Sequence, residues 1–258
     1  MAKHRIARSS NALERIGMRQ PKENDMLSSE FIDWWFEPWI CAESAVPALH
    51  PAAARAGRRD GYRIWCEQAR VAPDLPGQFD PDWQIAAADS AAELVGAARL
   101  FAGLIAARQH DTAVLDQLGF DDRKWCVSIA ATQPLIGCRE VFADDDPIEL
   151  RGLCEIARRL DNGFPGLWSR LRLLLAPELA AHLETRLAAA NRAPSEPSAT
   201  RAQRCWALCQ DRAETAASRA AVQAQDEEET CGEYAAQAAQ AAQAEHTDNL
   251  EEIEYDLN

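Results

Sequence analysis

From Asp89 to about residue 190 one pattern recurs: a polar residue suited to a helix cap, then apolar residues three and four positions apart, then glycine or proline. That spacing lines apolar side chains along one face of an α-helix. Ser90-Ala-Ala-Glu93 reads as a capping box, and Leu94, Ala97, Ala98, Phe101, Leu104 and Ile105 follow as one helix face to about 108. Asp111 and Thr112 are candidate caps for a short helix ending at Gly119, read as a C′ glycine. Asp121 caps the next helix, which carries Trp125, Cys126 and Ile129. In Asp146-Pro147-Ile-Glu149 the aspartate is the predicted N-cap, with proline at N1 and glutamate at N3. Leu150, Leu153, Cys154, Ala157 and Leu160 form that helix's stripe, and Gly163 stops it. A helix over about 165–175 turns Leu167, Trp168, Leu171, Leu174 and Leu175 inward, and Pro177 opens a new one carrying Leu179, Leu183 and Leu187. Strand-favouring Val, Ile, Thr and Tyr are sparse, whereas Ala, Leu, Arg, Gln and Glu dominate. The expected fold class is all-α, an irregular multi-helix array or bundle with disordered termini.

Around the patterned stretch the chain divides by composition. Residues 1–27 are polar and basic with no sustained apolar period, and disorder is expected there. The helical core domain is read as 28–192. It opens with Phe31-Ile-Asp-Trp34-Trp35-Phe36-Glu-Pro-Trp39-Ile40, an aromatic density that marks a core or interface anchor. Pro38 ends any helix there, short helical pieces are expected around 51–58 and 60–70, and turns at Pro73, Pro76-Gly77 and Pro81. Residues 193–200 read as a linker. An extra helix over 201–225 places Ala202, Cys205, Trp206, Cys209 and Ala213 on one face. Residues 226–258 form an acidic, low-complexity tail with Ala-Ala-Gln repeats and little to bury. Removing that tail is expected to leave the melting temperature almost unchanged; a drop of many degrees would show that it packs.

The net charge of −14, from 27 basic and 41 acidic residues, argues against nucleic acid or an anionic membrane as the main partner. The charge is uneven: six Lys/Arg against one acid in residues 1–22, and eleven acids with no Lys or Arg after Arg219. The basic start has no apolar stretch behind it to make a secretory signal. The longest strictly apolar run, Leu100 to Ala107, is far shorter than the ~20 residues a membrane-spanning helix needs. Eight cysteines are scattered through apolar contexts without a CxxC pair, as free thiols in a reducing cytoplasm would be.

A search for chemistry yields no catalytic, metal or cofactor signature. There is no Walker loop, dinucleotide glycine fingerprint, GxSxG elbow or HExxH. Cys205 and Cys209 lie one turn apart but read as apolar stripe residues. Asp144-Asp145-Asp146 reads as a helix start rather than a cation site, and His182 as a bundle-edge residue with no nucleophile partner. The acidic tail has a sharper reading as a docking peptide, with Ile253, Tyr255 and Leu257 as alternating apolar anchors.

Several of these segments resemble the SctK family of type III secretion sorting-platform subunits. The leading helix ending in Leu100-Phe-Ala-Gly-Leu-Ile-Ala106 and the segment Gly166-Leu-Trp168-Ser-Arg170-Leu-Arg172-Leu-Leu-Leu175 carry the similarity, although Leu174 stands where the family pattern has another arginine. The aromatic region 31–40 followed by Pro47-Ala-Leu-His50-Pro51 is similar to the family's N-terminal region. The resemblance implies a non-enzymatic adaptor at the cytoplasmic face of the bacterial inner membrane, bridging an SctD-like ring protein to SctQ-like pods, with no cofactor. Residues expected to contact partners are Trp34, Trp35, Trp39, Arg170, Arg172, Ile253, Tyr255 and Leu257; for Arg170 and Arg172 a structural use as ion-pair donors on a core helix is the other reading. A secretion chaperone or regulatory binding protein is the alternative role, and a helical enzyme without a legible motif the third.

Overall fold

Helix starts are set by side-chain oxygens that take up the backbone donors left free in a first turn. Ser28 Oγ accepts from Phe31 N at 3.1 Å and opens α1, Ser29–Phe36. Ser90 Oγ accepts from Glu93 N at 3.2 Å and opens α3, Ala91–Gln109; Glu93 reaches back to Asp89 N, one residue before the cap. Asp111 Oδ1 accepts from Val114 N and opens the single turn α4, Thr112–Leu115. The other helices are α2 (Arg58–Ala69), α5 (Phe120–Thr132), α6 (Ile148–Gly163), α7 (Leu167–Leu171), α8 (Pro177–Ala189) and α9 (199–219), with 3-10 turns at Pro81–Ala86 and Arg172–Leu174. This computed structural model describes residues 26–37, 58–137, 142, 146–189 and 199–219, and among them every regular element is helical. The expected all-α, multi-helix architecture is what forms.

The chain divides into two units, Met1–Ala213 and Glu214–Asn258. In the second, the described residues 214–219 are the exposed end of α9. In the first, α3 is the axis. The stripe read from its sequence covers one face, yet every residue from Leu100 to Ala106 is buried, Gly103 included. A helix enclosed all round needs small residues where neighbours press closest. A Cβ on Gly103 would meet Cys126 Sγ of α5 at 2.8 Å, and one on Gly152 of α6 would meet Ala98 O at 1.8 Å. Glycines thus allow the close approach of α3 to α5 and to α6.

Three predicted boundaries change. Gly119, read as a C′ glycine, has φ −62° and precedes α5 as its N-cap, so Asp121 lies in the first turn instead of capping it. Its carboxylate there still complements the positive end of the helix. Asp146 is not the cap of α6: Pro147 takes that position, and buried Asp146 accepts from Arg186 Nη2 of α8 at 2.6 Å, tying two helices together. The helix expected over 165–175 tightens into a 3-10 turn after Leu171 and ends at Leu175, whose extended backbone leads into Pro177.

The largest departure concerns α9, expected as an addition outside a 28–192 domain. Ala202, Cys205, Trp206 and Cys209 are fully buried in the main core, and the Trp206 ring meets Phe101 of α3 edge-on at 5.5 Å. Arg201 donates to Pro134 O near one end of α5 and Arg212 to Asp122 near the other, at 3.0 Å, so α9 runs antiparallel to α5. The expected linker lies mostly outside the described residues, as do the basic residues 1–25 and the tail 226–258.

Candidate interaction site

Two of the residues proposed from sequence converge. Arg170 of α7 places its guanidinium 3.5 Å from the centroid of the Trp35 ring of α1. Its Nη2 donates to Tyr62 Oη at 2.9 Å and to Ala72 O at 2.7 Å, and its Nε approaches Trp35 O at 3.5 Å. Tyr62 Oη in turn donates a hydrogen bond to Pro73 O at 2.6 Å. The local fold explains the convergence: Gly166, at φ +88°, starts α7 in a left-handed conformation that glycine adopts without strain, and the helix then points Arg170 inward.

Arg170 is 2% exposed, and no carboxylate pairs with it among the described residues. Nη1 has no hydrogen-bond partner. Burial pulls the guanidinium pKa down, while the same burial pushes the Tyr62 hydroxyl and the Cys66 thiol up. Neutral oxygens and an aromatic face thus hold the cation, a costly arrangement without an anion. Arg170 is therefore engaged inside the fold, but through neutral oxygens and an aromatic ring and not as the ion-pair donor considered from sequence.

The other predicted contact residues scatter. Trp34 and Trp35 are buried, so neither presents a surface. Trp34 Nε1 donates to Ala88 O at 3.0 Å, and Trp35 packs against Phe31 and Phe164. Aromatics of this size bury wherever a core is within reach, because the gain scales with apolar area. Arg172 lies at the surface and pairs with Glu184 of α8. Trp39, Ile253, Tyr255 and Leu257 lie outside the described residues.

Sequence reasoning missed the apolar residues that do face outward. Phe120 is 80% exposed and Val127 50% exposed, seven positions apart on α5 and so on one face, with Ile136 exposed beyond the helix end. The available signal was negative: neither residue belongs to the stripe of Trp125, Cys126 and Ile129. No family model, curated protein or solved structure matches this chain.

Other chemistry in the described residues is structural. Glu155 and Arg159 form a buried ion pair on α6; Arg159 also donates to Ile136 O at 2.7 Å and lies over the Phe101 ring. No group of three or more His, Cys, Asp or Glu among the described residues is placed to hold a metal ion, and no described helix is long and apolar enough to cross a membrane. Cys66, Cys126, Cys154, Cys205 and Cys209 are all buried.

Burial pushes the thiols of Cys126 and Cys154 up to about 12, helped by Asp122 and Glu155 respectively, and that of Cys209 well above its ordinary value. A folded-state pKa above the unfolded value means that the folded chain holds its proton longer. The contribution of Cys126 and Cys154 is therefore full below the ordinary thiol value of 9.0 and is lost as pH rises from there through about 12. Stability should fall by about 1.4 kcal/mol per pH unit per thiol across that window. Urea titrations at stepped alkaline pH check this; a flat profile would mean the thiols are hydrated.

Proposed function

We propose that this chain is a non-enzymatic adaptor whose outward-facing apolar line on α5 meets a partner protein. The observation that carries this reading is Phe120, a large aromatic left 80% exposed on a helix that is otherwise anchored in the core. With Val127 on the same face and Ile136 beyond the helix end, it offers the kind of apolar anchor on which binding energy concentrates. The resemblance to the SctK family supplies the partners: an SctD-like inner-membrane ring protein and an SctQ-like pod protein, met at the cytoplasmic face of the inner membrane. Arg170, within the segment that carries the resemblance, is engaged inside the fold, which favours α5 over that segment as the contact surface.

Co-purification from a secretion-competent bacterium tests the role. Recovery of SctD-like and SctQ-like proteins supports it, and recovery of neither overturns it. The surface is tested by Phe120→Asp combined with Val127→Asp, which should cut recovery at least about tenfold while the melting temperature moves little, since exposed sites contribute little stability. Unchanged recovery would remove α5 from the interface.

A further inference from the structure

The segment 58–73 is built as a module with its own small core. Arg70 adopts a left-handed conformation at φ 56°, Val71 N returns to Cys66 O at 2.9 Å, and Tyr62 Oη closes onto Pro73 O. Tyr62, Trp65, Cys66, Ala69 and Val71 bury against one another in a cluster separate from the main core, with Leu173 of the second 3-10 turn packed against it. The chain is re-anchored just beyond it. Leu75 packs on the main core, the Phe79 ring lies 4.6 Å from that of Phe164, and Asp80 N donates to Gly163 O at 2.7 Å. Between these anchors lies Gly77, with open space around its Cα.

Arg170 joins the module to the bundle through its bonds to Tyr62 Oη and Ala72 O, and the Phe36–Tyr62 ring contact at 5.5 Å adds to the attachment. The same residue opposes closure. Its guanidinium is buried without a carboxylate among the described residues and with Nη1 unbonded, so moving the module away would return a stranded cation to water. The Trp35 ring beneath Arg170 belongs to α1 and packs on Phe164, so the stacked pair can stay with the bundle.

We propose that residues 58–73 are a flap latched by Arg170, which opens as one cooperative unit while α3 and α6 remain folded. Closed, the flap covers the Arg170–Trp35 pair; open, it exposes a cation lying on an aromatic face. Segments with a small separate core and a polar attachment open at lower free energy than the main core does.

Amide hydrogen exchange on the full-length chain tests the device. Peptides within 60–73 should exchange together, at least about tenfold faster than those from 94–106 and 150–160. Arg170→Lys keeps the charge but loses the planar fork that reaches Tyr62 and Ala72 at once. It should speed exchange in the flap a further tenfold or so, the equivalent of one charge-assisted hydrogen bond, and leave α3 and α6 within about twofold. Tyr62→Phe, which keeps the ring and removes the hydroxyl, should give a smaller change in the same direction and serves if the lysine variant fails to fold. Flap amides protected as strongly as those of α3 in the native chain would overturn the proposal. So would variants that accelerate the flap and the bundle equally.

Discussion

Replacing Gly152 by alanine should destabilise the protein by about 3 kcal/mol or more, the upper range for overpacking a tight core. The added methyl would lie 1.8 Å from Ala98 O, 2.4 Å from Ala98 C and 3.0 Å from Ala98 Cα. These are backbone atoms of α3, so no side chain can rotate aside, and α6 must move bodily away from the helix at the centre of the core. Helix propensity alone favours alanine over glycine by about 1 kcal/mol, so the steric term has to outweigh a local gain. For a domain of this size the loss corresponds to a fall in melting temperature of roughly 6–12 °C. Gly77→Ala is the control: nothing lies within 4 Å of its added Cβ, and stability should hold or rise slightly. An unchanged melting temperature for Gly152→Ala would mean that α3 and α6 are not in such close contact.

Trp206→Ala should cost about 3–5 kcal/mol, the usual range for emptying a buried aromatic site. Trp206 is fully buried between α9 and Phe101, beside the buried thiols of Cys205 and Cys209. Its Nε1 has no hydrogen-bond partner, so the substitution also removes a stranded donor, which offsets about 1 kcal/mol of the loss. Urea unfolding followed by far-ultraviolet circular dichroism measures the difference. A cost below about 1 kcal/mol would return α9 to the status of an appendage, as its position after a linker-like segment first suggests.

Much of the helical pattern was legible because caps and apolar spacing are local. Ser90 and Asp111 cap where their positions predict, and Pro177 starts a helix because it cannot continue one. Where a residue could serve either its own helix or a distant one, local reading chose wrongly. Asp146 has the composition of a cap, but Arg186, forty residues later, gives its carboxylate a charged partner in a buried setting. The contact site was less legible still. Trp34, Trp35 and Arg170 carry the chemistry of an interface, and burial or exposure depends on what the rest of the chain places over them.

Helical character, the starts of most helices and their apolar faces can be read from residue order, since those properties rest on contacts within four residues. Long-range packing is what encloses Leu100–Ala106 of α3 on all sides, brings α9 in to complete that core, and stacks Arg170 on Trp35 and bonds it to Tyr62. Each of these joins residues far apart in the chain, Arg170 and Trp35 by 135 positions. Close approach at that separation depends on volumes and backbone clearances, such as the space left by Gly103 and Gly152, which no local pattern encodes.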